Sequence, residues 1–591
     1  MMTCCLGYHA LGTSPRGGGV ERMSVLDILL GKPIATSDER GEQVGVSAGI
    51  PIFGLDALSS AAYGPEAALT LLIPLGLAGV AYIVPISASI IVLLAIAYFS
   101  YRQTIAAYPG GGGSYTVASE NLGTFPGLVA AAALMLDYIL TAAVGISAGV
   151  GALVSAVPTL QPLTLSLCLG ILVLITLANL RGVREAGIVF IIPTYLFVGT
   201  LLVAIAIGLT KTVVAGGHPV AVVASPAALP APTAVASLWL LMQVFSNGCT
   251  AMTGVEAVSN GVRAFREPTV KTAQRALTVI IGLLIVLLAG IAYLVRAYGI
   301  AATDPGQLGY QSMLSMLVAA VAGRGWFYYL TIGSVLAILS LSANTAFADF
   351  PRLCRAVAQN SFLPHAFGLR GRRLVYTEGI LVLAALTAGL LVFFGGVTDR
   401  LIPLYAIGAF LAFTLSRAGM VAHWKRVSGR GAAQSMFING LGSVATGITL
   451  LVVLVAKFTQ GAWVSALLIV VMLWVMLWVR RHYARVAEEI HSRVPLEVTQ
   501  PRVPIVIVPI QRWDRIARNA LEFALTLSTE ITAVHITTED EDSDLRADWQ
   551  RLKAAGVEFV EDPTDYGNLR IATLKDPEGN LIQLLECPES H

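Results

Sequence analysis

Charge is scarce in this chain: Asp, Glu, Lys and Arg make up 13% of its 591 residues, while 56% are hydrophobic and the mean hydropathy is +0.74. Ordinary soluble domains do not reach that balance, so the chain reads as a polytopic membrane protein. The six cysteines (Cys4, Cys5, Cys168, Cys249, Cys354 and Cys587) form neither a disulfide framework nor a zinc spacing. No cluster of His and Cys suits a transition metal, and no resident metal or cofactor is expected. There is no Walker A motif, no cofactor fingerprint and no membrane-embedded nucleophile paired with a base, so catalysis and ATP-driven pumping both lack a basis. The net charge of +2 carries no information as a total, and no nucleic-acid partner is expected. Residues 1–22 have too short an apolar core for a signal peptide and no clear cleavage site; Met23 is the expected start, within a cytoplasmic segment 1–43.

In place of charge stand runs of roughly 20 apolar residues, each long enough to cross a bilayer. Twelve are read, at about 47–73, 79–101, 125–156, 163–180, 186–210, 235–261, 276–297, 326–350, 375–396, 401–422, 435–456 and 461–480. The fold class is therefore an all-α membrane protein with a transmembrane domain over 44–481. Basic residues crowd alternate connections, from Arg102 through Arg181, Arg352, Arg355 and Arg417 to Arg480 and Arg481. The opposite connections carry only Lys211, Arg296, Arg324, Arg400 and Lys457. By the positive-inside rule both termini are cytoplasmic, in a multi-pass protein of the bacterial plasma (inner) membrane with the lipid bilayer as its first partner.

Two spans are interrupted. The first carries Gly54 to Ala67, GLDALSSAAYGPEA, which sets Asp56, Ser59, Ser60, Tyr63 and a proline in lipid-compatible sequence. The sixth carries Asn247 to Gly261, NGCTAMTGVEAVSNG, with Thr253, Gly254 and Glu256. Spans one and six are equivalent in a five-plus-five inverted repeat, and broken helices at matching positions point to a transport site at the membrane midplane. The third span adds Asp137 and, four residues on and so on the same face, Thr141. The glycine-rich YPGGGGSY, Tyr108 to Tyr115, lacks a P-loop setting and reads as a flexible connection.

Ionisable groups at membrane depth are costly and mark function. Asp56, Asp137 and Glu256 meet no Lys or Arg within the spans, so something positive must visit: a cation, a proton, or each in turn. Hydroxyl and phenol oxygens of Ser59, Ser60, Tyr63, Thr141, Thr253 and Tyr405 are hard neutral ligands suited to alkali cations. An amino acid substrate would need its carboxylate met by free N–H groups, and the first span offers alanines and an aspartate instead.

The stretches DALSSAAYGPEA, YPGGGGSYTVASENLG, LMLDYILTAAVGISAGV and MTGVEAVSN resemble the amino acid-polyamine-organocation superfamily, and within it the KimA-type potassium/proton symporters. The resemblance implies a LeuT-type inverted-repeat fold. It places Asp56, Tyr63, Asp137, Thr141, Thr253, Glu256 and Tyr405 at or near bound cation. Ser59, Ser60 and Gly254 are read from the sequence as lying behind them or at the helix breaks. It implies transported potassium and protons. One departure is Gly145, where such transporters can carry a serine. The first expectation is thus a secondary importer of potassium with protons; the alternative is an amino acid or polyamine permease of the same fold.

After Arg481 the composition turns soluble, a small cytoplasmic α/β tail. Residues 482–502 read as a charged connecting helix, Val503 to Ile510 as a buried strand, Trp513 to Leu527 as an amphipathic helix and Ile531 to Ile536 as a second strand. Residues 503–543 resemble part of a universal-stress-protein-like domain, which implies dimerisation through the tail and a cyclic-dinucleotide ligand. Residues 544–591 resemble the end of a glyoxalase/vicinal-oxygen-chelate module, with Gln583 where metal-binding members often carry Glu. An enzyme or sensor in the tail is the third expectation, and half of a metal site argues against it.

Overall fold

The computed structural model describes residues 43–182, 186–224, 233, 235–304, 309–371, 373–429, 431–491, 505–509, 515–528, 530–536, 559–565, 570–575 and 581–587. The segment 1–42, and with it the start expected at Met23, lies outside the described residues. The chain divides into two units, 1–489 and 490–591.

In lipid every backbone polar group must be satisfied internally, and the first unit answers with helices. Among the described residues nine are long and apolar enough to cross a membrane. The three remaining expected spans are helical as well, and all carry polar residues: Val46–Thr70 for the first, Leu238–Gly248 with short turns to Asn260 for the sixth, and Ile407–Val427 for the tenth. The protein is an all-α membrane protein with a small α/β tail.

The two halves repeat in their helix lengths. A short helix of 9 residues, Ser114–Leu122, precedes the 33-residue third span Thr124–Ala156 and the 17-residue fourth, Thr164–Leu180. In the second half a 10-residue helix, Met313–Ala322, precedes the 34-residue eighth span Trp326–Gln359 and the 18-residue ninth, Thr377–Phe394. The third and eighth spans pack on one another through glycines: a Cβ on Gly145 would lie 2.6 Å from Ser342 Oγ, and one on Gly149 2.9 Å from Ser340 Oγ. Small residues let helix backbones approach closely where no hydrophobic effect drives them together.

Several details differ from the sequence expectation. The first span has no gap; it is one continuous 25-residue helix with Pro51 and Pro65 inside. A proline leaves the carbonyl four residues back without its helical donor. For Pro51 that carbonyl is Ser47, and the Tyr195 hydroxyl donates to it at 2.8 Å. The eighth span does not end at Asp349 and Pro351 but continues to Gln359. The glycine-rich loop is not a free connection. Gly112 N–H donates to the Ser259 carbonyl at 2.9 Å, and Gly111, at φ +99°, lies so close to Asn260 that a Cβ would come within 2.9 Å of its carbonyl oxygen. The twelfth span runs unbroken from Ala462 to Ile490, taking in the start of the expected connecting helix.

The tail holds a five-stranded sheet in the order β1-β2-β5-β4-β3. Strands β1 (Val506–Pro509), β2 (Glu530–Ile536) and β5 (Leu581–Cys587) are parallel neighbours; β4 (Arg570–Lys575) and β3 (Phe559–Asp565) continue antiparallel. Helix Arg515–Leu527 buries Ala517, Leu521 and Ala524 in a cluster with Val508, Ile531 and Ala533. The first strand is not buried throughout, since Ile507 is 64% exposed on an edge position. Gln583 lies on β5 between Thr532 and Thr573.

Candidate functional site

The first, third, sixth and tenth spans bring the expected residues together. A row of four hydroxyls joins them: Thr253 Oγ1 to the Tyr63 hydroxyl (3.1 Å), Tyr63 to the Tyr405 hydroxyl (3.4 Å), and Tyr405 to Thr141 Oγ1 (2.9 Å). All four residues are buried. Ser59 and Ser60 turn back on their own helix, donating to the carbonyls of Asp56 (2.9 Å) and Ala57 (2.7 Å); Ser60 also reaches the Ala251 carbonyl at 2.8 Å, tying span one to span six.

The sixth span is broken at 253–256, and Gly254 sits there at φ +77°, a conformation L side chains rarely adopt. Its Cα lies against Asp56: a Cβ would fall 2.5 Å from Asp56 Oδ2 and 2.7 Å from the Ala57 nitrogen. The glycine is therefore what lets the unwound backbone of span six touch the carboxylate of span one.

The tenth span starts with a break that the sequence does not announce. A short turn, Thr398–Leu401, is followed by irregular backbone through Tyr405; Ala406 stands at φ +78°, and the helix begins at Ile407. A non-glycine residue in that region costs about 1–2 kcal/mol, and what it gains is a helix N-terminus aimed at the site. Asp137 accepts from the Ala409 N–H in its first turn. Free N–H groups there favour a carboxylate. Gly408 makes the approach feasible, because a Cβ would collide with the Ala133 carbonyl.

The three carboxylates share one field: Asp137 feels Asp56, and Glu256 feels both. All three are buried, and Asp137 Oδ1 and Glu256 Oε2 have no hydrogen-bond partner among the described residues. Two bases that the sequence places in connections prove to be buried, Arg417 within the tenth-span helix and Lys457 between spans eleven and twelve. Neither neutralises the acids by contact, since Lys457 donates to the Ile402 carbonyl at 3.0 Å and Arg417 has no hydrogen-bond partner among the described residues.

Above the row lies a cavity of about 240 Å³ whose lining includes Tyr63, Glu66, Tyr310, Thr398, Asp399 and Arg400. Tyr63 is the one expected site residue that faces it; the acids lie beyond, shut off from this side. The Tyr310 hydroxyl donates to Glu66 Oε1 at 2.7 Å across its wall. On the other side Asp349 lies within electrostatic reach of Asp56 and Glu256, and Asn260 joins it to the Tyr138 hydroxyl (3.3 Å). Sequence reasoning missed Asp349 because DFPR, followed by a basic loop, reads as a helix end. It also missed Ser342, whose hydroxyl occupies the space that a side chain on Gly145 would take.

Residues 51–479 match the amino acid permease profile. The chain belongs to the amino acid permease family. The potassium transporter KimA of Bacillus subtilis (strain 168) is 35% identical over 548 residues, which is 92% of this chain and 88% of that protein. A second match, to the glyoxalase/bleomycin resistance protein/dioxygenase superfamily, covers residues 509–584. Crystal structures of the Eremococcus coleocola manganese transporter, one the H236A mutant and one a complex with an aromatic bis-isothiourea compound, are 15% and 14% identical. Each covers 76% of this chain and 99% of its own at a TM-score of 0.39, too distant a likeness to bear on the ion. As a permease-family member this protein is a multi-pass membrane transporter, not an enzyme, and the residues of the hydroxyl row and the three acids fall inside the matched segment.

Proposed function

We propose that this protein imports potassium through the site between spans one, three, six and ten, and that protons accompany it. The observation that carries the reading is the row Thr253, Tyr63, Tyr405 and Thr141 beside three buried carboxylates that, among the described residues, no Lys or Arg contacts. Neutral oxygens replace the hydration shell of an alkali cation, and carboxylates balance its charge or hold a proton in turn. The relative named a potassium transporter supports the same ion. An amino acid fits less well: span one is continuous and exposes no free N–H, and the helix N-terminus at the site already serves Asp137.

Import is driven by an ion gradient or the membrane potential, which yields about 2.3 kcal/mol per unit charge at 100 mV. Asp56, Asp137 and Glu256 share cation binding and proton traffic, Tyr63, Thr141, Thr253 and Tyr405 supply oxygens, and Ser59, Ser60 and Gly254 hold the helices in register. The basic connections put both termini on the cytoplasmic face of a bacterial inner membrane. The tail, with its universal-stress-protein-like start and glyoxalase-like end, acts in regulation, through pairing of two copies or a cyclic dinucleotide.

Rubidium uptake into proteoliposomes, with and without an inward proton gradient, tests the reading. Wild-type protein is expected to take up rubidium faster with the gradient, and Asp56→Asn to abolish uptake while remaining inserted. Wild-type rates in Asp56→Asn, or uptake of amines in preference to rubidium, would refute it.

A further inference from the structure

Arg417 is a charge without an assignment. It is 2% exposed in the tenth span, and Nε, Nη1 and Nη2 all lack a hydrogen-bond partner among the described residues. Its guanidinium carbon lies 5.4 Å from the Tyr101 ring centre and 5.5 Å from that of Phe413. Stacking on aromatic faces offsets only part of what it costs to bury a guanidinium, so a purely structural arginine would be expected to hold a carboxylate or carbonyl.

Among the described residues no carboxylate bonds it. The helices that supply its contacts, Ile83–Ala107, Ile407–Val427 and Ala432–Ala456, contain no Asp or Glu. The acid within electrostatic reach is Glu256 of the transport site. Glu256 Oε2 is itself buried without a partner, and the Tyr101 hydroxyl, equally unpartnered, interacts electrostatically with both. On the far side Gly442 leaves the arginine room, since a Cβ there would stand 2.9 Å from its Cδ. Orphaned donors and an orphaned acceptor thus lie within electrostatic reach of one another and of one tyrosine hydroxyl, an arrangement that becomes satisfied if the side chain changes place.

We propose that Arg417 is a tethered counter-cation: its guanidinium takes Glu256 when the transported cation leaves the site, and releases it when the next cation arrives. This rests on the cation-transport reading above. The emptied carboxylates would otherwise have to recross the membrane uncompensated, and charge at that depth is expensive. Arg417 is a positioning residue, needed for the return of the empty carrier and not for cation binding itself.

The test separates net transport from exchange. Proteoliposomes containing wild type, Arg417→Gln or Arg417→Lys are assayed for net rubidium uptake and for exchange of external rubidium against internal potassium, a mode that never requires the empty carrier to return. Arg417→Gln is expected to lower net uptake at least tenfold while exchange stays within twofold of wild type, and Arg417→Lys, which keeps the charge, to recover part of the net uptake. Parallel loss of both modes in Arg417→Gln with no rescue by Arg417→Lys, or net uptake unchanged in Arg417→Gln, overturns the proposal. A wild type that carries rubidium in neither mode overturns the cation-transport reading instead.

Discussion

The third and fourth spans are alike in being long and apolar enough to cross a membrane, and yet they live in different surroundings. Along its most apolar stretch 94% of the third is buried, against 17% of the fourth. Hydropathy sees only that both avoid water. The difference lies in side-chain size and in what small side chains admit: Gly145 and Gly149 let the eighth span lie against the third, Asp137 finds a helix N-terminus, and the fourth turns Val173 and Leu174 outward. Span three is a packed wall of the proposed binding site, and span four is part of its outer casing.

Three substitutions sharpen that contrast. Gly145→Leu should destabilise the protein most, by about 3 kcal/mol, because its side chain would enter space held by Ser342 Oγ and the Leu339 carbonyl; thermal unfolding in detergent reads the loss. Thr141→Val removes the hydroxyl that meets Tyr405 at 2.9 Å while keeping the shape. It should weaken rubidium binding about tenfold, the equivalent of one hydrogen bond, with little change in Tm. Val173→Ala, at a side chain 56% exposed, should alter stability by no more than about 0.5 kcal/mol and leave uptake at wild-type rates. If Val173→Ala proved as damaging as Gly145→Leu, the division into wall and casing would fall.

Much of this architecture is legible in the sequence because lipid punishes exposed polar groups. Asp56, Asp137 and Glu256 stand out against apolar neighbours, and the glycines and threonines of 247–261 mark unwound backbone in span six. The tenth span is harder. Tyr405 precedes AIGAFLAFTLS, in which nothing marks Ala406 as left-handed or Ile407 as a helix start, since that turn is imposed by packing against span three. Arg417 is counted with the basic connections although the expected span 401–422 takes it in, and only coordinates show it buried against Tyr101. The first span misleads in the other direction: the proline and polar residues of 54–67 suggest an interruption, whereas the helix runs from Val46 to Thr70 without a gap.

The hydroxyl row has a direction. Thr253 gives its own hydrogen to the Thr250 carbonyl at 3.1 Å, so it can only receive from Tyr63; Tyr63, having given, receives from Tyr405, and Tyr405 from Thr141. Every proton in the series is thereby spent along the line, and each oxygen keeps a lone pair with no hydrogen aimed outward. One backbone carbonyl at the end of the queue polarises four side chains from four spans, and the oxygens they present carry partial negative charge with no hydrogen between them and a guest.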